Sequence, residues 1–324
     1  MAYDTGNEYA CMPLWAQSDN GPMEARMKLF YSPDYVLTEY VFDTTRKARW
    51  VAESLQAEPV AGVEFVAPEP VSEAALCELH DPAYVAAVRT GEPRVLAESQ
   101  GFQWDALLWP SVRASTGGAI AAAEVALREG CAGSLSSGLH HAWRYQGKGY
   151  CTFNGLALAA YHALSSGANS VLILDLDAHC GGGTHSLVAS EPRIRHADIA
   201  VNSFDYYTPT AENSFEMVTD AARYLPAVRE LLERLENGGS YDLCLYNAGM
   251  DPHEDSAEGG LAGITEETLA ERERLVFAWC RAHSIPVAFV LAGGYVSPRL
   301  PQERLVALHR LTVETATTMA TGGS

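Results

Sequence analysis

Two acidic residues and a histidine occupy alternate positions in Asp175-Leu176-Asp177-Ala178-His179, directly after the apolar run Val171-Leu172-Ile173-Leu174. Side chains two apart on an extended strand share a face, so Asp175, Asp177 and His179 are expected to converge where that strand ends. Carboxylate and imidazole together suit a divalent metal such as zinc, with the remaining positions filled from elsewhere in the chain. Gly181-Gly182-Gly183 follows at once and lets backbone pass close to the site. A plainer reading is also open, in which Asp177 caps the next helix and His179 lies on the surface, because D-x-H is short and recurs by chance.

The rest of the chain supplies what this strand lacks. Ser136-Ser137-Gly138-Leu139-His140-His141 closes a small-residue segment that reads as another strand edge. Adjacent histidines on a strand would face opposite ways, so His140 and His141 share one cleft only if they lie in a turn, which Gly138 permits. Two imidazoles beside a metal are suited to moving protons near neutral pH; an isolated pair would more simply be structural. The apolar stretch 242–248 runs into Gly249-Met250-Asp251-Pro252, and the stretch 286–292 runs into Gly293-Gly294-Tyr295. Singly, Asp251 reads as a turn cap and Tyr295 as a core aromatic. Four strands delivering polar chemistry at one end tip the balance, since open α/β sheets bind ligands at the carboxyl edge of their strands.

The elements needed to position these groups follow from periodicity. Lys28 to Tyr31 reads as the first strand, Thr44 to Leu55 as a helix, and Ser115 to Arg128 as an Ala-rich packed helix. Gly155 to Leu164 is a helix after Asn154, and Ala197 to Val201 a strand. Leu225, Val228, Leu231, Leu232 and Leu235 fall at helical spacing within Asp220 to Glu236. Thr265-Glu266-Glu267-Thr268 opens a helix with an acidic first turn, which suits the helix dipole, and Arg304 to Thr318 closes the chain. Strands alternating with helices imply a mainly parallel sheet built from right-handed crossovers.

With 324 residues and no Pro/Gly/Ser-rich linker, residues 1–324 read as a single domain. A formal net charge of −19 disfavours nonspecific nucleic-acid binding and favours approach of cationic molecules. The seven cysteines, at 11, 77, 131, 151, 180, 244 and 280, lack C-x-x-C spacing and sit in apolar contexts, as reduced buried thiols do. Met1-Ala2-Tyr3-Asp4 has no basic, then apolar, leader pattern, and no apolar run approaches bilayer-spanning length. A soluble cytoplasmic protein without a membrane or nucleic-acid partner is the expectation, and assembly into a homo-oligomer is compatible with it.

Taken in order, these motifs resemble the zinc-dependent histone deacetylases and acetylpolyamine amidohydrolases of the arginase–deacetylase superfamily. The matching pieces are Leu79 to Tyr84, Ser115 to Gly118, Gly138 to Ala142, Gly149 to Gly155, Asp175 to His179, Asn247 to Pro252, Leu291 to Tyr295 and Leu308 to Arg310, spread over about residues 27 to 318. The resemblance implies a three-layer α/β/α fold and a metal-dependent amidohydrolase acting on an acylated amine. It implies Asp177, His179 and Asp251 as ligands of one Zn2+, His140 paired with Asp175, His141 as general base and then acid, and Tyr295 as donor to the developing oxyanion. Gly149 and Tyr150 would line the acyl tunnel, with the opposite wall from the segment Phe204-Asp205-Tyr206-Tyr207, Tyr206 and Tyr207 in particular. A structural monovalent cation, such as K+, would involve Asp175, Asp177, His179, Ser203 and Phe204.

Two departures bear on this. The family usually has a carboxylate or amide where this chain has Gly182, there to hold the second histidine, and a His or Gln where it has Cys180. Without that partner the orientation of His141 loses its familiar support, and a catalytically weakened protein that binds acylated amines is the alternative. The comparable loop Gly101 to Trp104 lacks the acidic residue that grips peptide backbone, although Asp105 is near, which favours a small acylated amine or acetylpolyamine over a protein tail. His253, Glu254 and Asp255 are candidates for the rim of the site. A binuclear manganese ureohydrolase is disfavoured, because Gly181 to Gly183 offers no further acidic ligands.

Overall fold

Four runs of wholly buried residues form neighbouring strands at the centre of the protein: β3 (Cys131–Ser134), β8 (Val287–Val290), β7 (Leu243–Asn247) and β4 (Val171–Asp175). In the computed structural model, which describes residues 26–38, 43–210 and 213–320, they belong to an eight-stranded sheet. Its outer strands are β1 (Met27–Phe30), β2 (Val63–Val66), β5 (Ile194–Ala200) and β6 (Ser214–Met217), and the order is β2-β1-β3-β8-β7-β4-β5-β6. Every pairing is parallel. The four strands whose ends looked chemically loaded are therefore adjacent, and all their carboxyl ends open on one edge. The readings that concern residues 1–4 and Cys11 lie outside the described residues.

Such strands are apolar on both faces because helices cover both. Along β4, Leu172 and Leu174 face one core, with α1 (Asp43–Ala57), α8 (Ala221–Glu236), α9 (Glu266–Ala282) and α10 (Gln302–Ala320). Val171 and Ile173 face the other, with α2 (Glu73–Leu79), α3 (Pro82–Thr90), α5 (Leu108–Glu129) and α6 (Gly155–Ser165). This is the three-layer α/β/α architecture expected from the motif order.

Local signals set most boundaries. Asp220 caps α8 by accepting from Ala222 N, and Thr265 caps α9 in a reciprocal capping box. The Ala-rich helix starts at Leu108 rather than Ser115, because Asp105 Oδ1 accepts from Leu107 N at 2.6 Å and turns the chain there. Asp105 thus makes a local turn just ahead of the helix. The edge strands β2 and β6 are only partly buried and carry no apolar run, so periodicity did not reveal them. Among the described residues no helix is long and apolar enough to cross a membrane, and the six described cysteines are free.

Candidate active site and metal centre

Beyond the ends of β4 and β7, Asp177, His179 and Asp251 bring ligand atoms within 4.8 Å of one another, and all three residues are buried. Asp177 Oδ1 accepts from the His179 backbone N–H at 3.0 Å and lies 3.1 Å from His179 Nδ1. Its Oδ2 accepts from Gly293 N at 2.6 Å, across from the loop after β8. Asp251 Oδ1 accepts from Ala178 N at 2.9 Å, while its buried Oδ2, 3.2 Å from His179 Nδ1, accepts no hydrogen bond. Gly293 makes this approach possible: a Cβ there would lie 1.9 Å from Asp251 Oδ2.

Electrostatics favour a cation at this point. Burial, and then the charge of Asp177, raise the Asp251 pKa to about 6. Burial works against a charged His179, but the neighbouring carboxylates of Asp177 and Asp251 outweigh it and raise its pKa to about 10. A buried anionic pair that draws a proton onto its neighbouring imidazole offers what a divalent ion requires. Two carboxylates, one of them with a bare oxygen, and one imidazole Nδ1 fit zinc. Among the described residues no other cluster of three such groups occurs.

Beneath the ligands lies a support that periodicity did not reveal. Arg272, fully buried on α9, donates to the carbonyls of Gly249 at 2.6 Å and Leu176 at 3.1 Å. It thereby ties together the two loops that carry Asp251 and Asp177, and its charge is balanced by Glu273 at 2.6 Å. Leu269, Arg272, Glu273 and Val276 share the buried stripe of the helix. A charged pair inside an apolar i, i+3, i+4, i+7 pattern was the available signal.

His140 and His141 lie in the turn after β3 with ring centroids 3.9 Å apart, yet their surroundings differ. His140 Nδ1 lies 2.8 Å from Asp175 Oδ2, and its Nε2 is 3.5 Å from Asp177 Oδ1. Asp175 Oδ1 also accepts from Asn247 Nδ2 at 2.8 Å, so the last residue of β7 helps hold that carboxylate. Burial opposes charge on His140, but Asp175 and Asp177 prevail and raise its pKa to about 10. For His141, burial and then the neighbouring His140 charge lower the pKa to about 4. Two histidines whose pKa values are driven apart can divide the work, one as fixed charge and one as proton acceptor.

The partner of His141, which the Gly182 position does not provide, comes from the loop after β5. Asp205 Oδ2 lies 3.1 Å from His141 Nδ1 and accepts from Gly183 N at 3.0 Å. Gly182 is what admits it, since a Cβ at that position would be 2.2 Å from the Asp205 carbonyl oxygen and 2.8 Å from its Cγ. The carboxylate expected on the helix after β4 is supplied instead from a different loop. Burial alone would raise the Asp205 pKa, but His141 and Lys148 outweigh it and hold the carboxyl below its usual range.

A pocket of about 130 Å³ opens beside these groups, lined by His141, Gly149, Tyr150, His179, Phe204, Glu258 and Tyr295. Gly149 and Tyr150 thus stand where expected. Tyr206 and Tyr207 do not: Tyr206 is 60% exposed against Phe215, and Tyr207 is buried, stacked on His185 at 4.2 Å. Asp205 adopts a left-handed backbone, φ 58°, which re-aims the loop so that Phe204 becomes the opposite wall. Of the residues expected at a monovalent ion, Asp175, Asp177 and His179 lie together at the end of β4, and the other two sit on the loop after β5. Ser203 is exposed because β5 ends at Ala200, its carbonyl accepts from Tyr206 N, and the Phe204 carbonyl accepts from Cys180 N. Of the rim candidates, His253 is buried, Glu254 accepts from Gly263 N at 2.8 Å and Asp255 pairs with Arg299 and Arg304; the acidic group at the pocket is the exposed Glu258, which was not among them.

Comparison with known proteins agrees with this geometry. The histone deacetylase domain model matches residues 41–311. An uncharacterized protein of Picosynechococcus sp., SYNPCC7002_A1628, is 34% identical over 82% of this chain and 91% of its own length. The human polyamine deacetylase HDAC10 is 26% identical over 69% of this chain and 36% of that longer protein. In fold, the acetylpolyamine aminohydrolase of Burkholderia pseudomallei superposes with a TM-score of 0.73 at 19% identity, covering 90% of this chain and 99% of that one. A parallel sheet with an Asp-His-Asp cluster and two histidines at its carboxyl edge, matched over most of its length, places this chain in the histone deacetylase domain family.

Proposed function

We propose that this protein hydrolyses the amide of a small acylated amine, most simply an acetyl group on a polyamine-like or acetyllysine-type substrate, with one Zn2+ as cofactor. The observation that carries the reading is the convergence of Asp177, His179 and Asp251 with His141 and Tyr295 on one narrow pocket. Bound by those three ligands, the ion would supply Lewis acidity, polarising the acyl carbonyl and lowering the pKa of an attacking water. His141 is neutral at physiological pH, and with Nδ1 turned to Asp205 it offers Nε2 as proton acceptor. It takes the proton of the attacking water and returns it to the departing amine. The Tyr295 hydroxyl donates to the acyl oxygen as negative charge develops there. His140, held protonated by Asp175, adds fixed positive charge behind it.

Specificity for a cationic amine has two supports. Glu258 presents a carboxylate at the pocket, and the chain carries a formal net charge of −19. The pocket volume of about 130 Å³ suits a short acyl group on a slim alkyl chain. The alternative of a binding protein without turnover rested on Gly182 and Cys180; Asp205 beside His141 supports turnover instead. Hydrolysis of acetylpolyamines and acetyllysine peptides, measured side by side with zinc-loaded protein, tests the proposal. Higher kcat/KM for the acetylpolyamines is expected, and Glu258→Leu should raise their KM roughly tenfold while sparing neutral acyl amines. Inactivity toward every acylated amine would refute it. A cytoplasmic location is part of the same proposal and is tested by fractionation.

A further inference from the structure

The loop after β5 places two consecutive residues on two different tasks. Phe204 forms one wall of the pocket, and its ring stands 4.9 Å from that of His141, centroid to centroid. Asp205 turns inward through its left-handed backbone and is buried, with four donors around its carboxylate. His141 Nδ1 and Gly183 N meet Oδ2, while Trp143 Nε1 meets Oδ1 at 3.3 Å and Lys148 Nζ meets it at 2.5 Å. The Lys148 ammonium also lies 5.2 Å from the centre of the Phe204 ring and 5.7 Å from that of Trp143, within cation–π range. Lys148 directly precedes Gly149 and Tyr150 on the facing wall. The walls are already in close contact: a Cβ on Gly149 would be 2.7 Å from the Phe204 ring and 2.8 Å from the His141 ring.

We propose that Lys148 and Asp205 form a latch that makes the alignment of His141 depend on the pocket being closed around a slim substrate. Lys148 joins the Gly149–Tyr150 wall to the Phe204–Asp205 loop, and Asp205 carries the position of that loop to the imidazole. A substrate thin enough to leave Phe204 seated finds His141 oriented, with Nε2 toward the acyl group. A branched substrate that displaces Phe204 pulls Asp205 away from Nδ1 and binds without efficient turnover. Lys148 and Asp205 are positioning residues, acting through His141. The bare position at Gly182 belongs to the same device, since a side chain there and the Asp205 loop cannot share the space.

This inference rests on the hydrolase reading, and its experiment separates the two. Zinc-loaded wild type, Asp205→Asn, Lys148→Met and Lys148→Arg are compared for kcat, KM, metal content and thermal melting, with a linear and a branched acylated amine. Asp205→Asn is expected to lower kcat on the linear substrate roughly 100-fold, with KM and metal content nearly unchanged. Lys148→Met should lower it roughly tenfold, Lys148→Arg should recover most of that loss, and wild type should discriminate against the branched substrate in kcat more than in KM. Nitrogen-15 NMR gives a readout that needs no turnover: the wild-type His141 ring should carry its proton on Nδ1, and Asp205→Asn should lose that preference. If Asp205→Asn and Lys148→Met keep kcat within about twofold and the His141 tautomer is unmoved, the latch is wrong. If wild type hydrolyses nothing while the tautomer still follows Asp205, the hydrolase reading fails and the latch geometry stands.

Discussion

The pairing of His141 with Asp205 shows what single residues reveal and what they hide. Asp175, Asp177, His179, Asp251 and Tyr295 were legible because each follows an apolar strand, where a polar side chain has few structural reasons to be. Asp205 was not, because its role depends on a left-handed turn and on empty space at Gly182, neither of which leaves a pattern along the chain. Within the segment 204–207 it is Phe204, and not Tyr206 or Tyr207, that lines the pocket, since one positive φ changes which side chains face it. Tyr295→Phe should lower kcat about 100-fold with metal content intact, measured by steady-state kinetics and metal analysis. The His141 pKa of about 4 sets a further expectation. A base with a lowered pKa stays unprotonated until acid exceeds that value. The acid limb of kcat/KM should therefore lie well below the pH of about 6.5 expected for an unperturbed histidine. A limb near 6.5 would reassign the base.

The elements matter through where they end. Parallel pairing of β3, β8, β7 and β4 places their carboxyl ends side by side, so four separate motifs become one site without any long-range coincidence in the sequence. The central strands and long helices were readable because a fully buried run and a 3.6-residue stripe are strong signals. Edge strands β2 and β6 were not, because half-buried short segments look like loops. The helix α9 has a less visible part, holding the loops of both acidic ligands through Arg272. Arg272→Met would leave the buried Glu273 without its counter-charge, at a cost of roughly 3–5 kcal/mol. Thermal melting should record Tm lower by roughly 4–7 °C. An unchanged Tm would mean that the pair contributes little to holding those loops.

Across the molecule, the formal net charge is −19, and the small opening carries Glu258. Long-range attraction of this kind is screened by salt, whereas contacts inside the pocket are screened much less. KM for a polycationic acylated amine should therefore rise several-fold between about 0.02 and 0.5 M salt, while KM for a neutral acylated amine should hardly move. Equal salt dependence for both would separate the net charge from substrate choice.

The decisive measurement is metal analysis coupled to hydrolysis, on protein as purified, after chelation, and after zinc is returned. The arrangement of Asp177, His179 and Asp251 predicts about one ion per chain, activity lost on chelation and restored by zinc, and neither binding nor activity in Asp251→Ala. Protein that stays fully active when stripped of metal, or an Asp251→Ala variant that binds zinc and turns over as wild type does, would contradict the account.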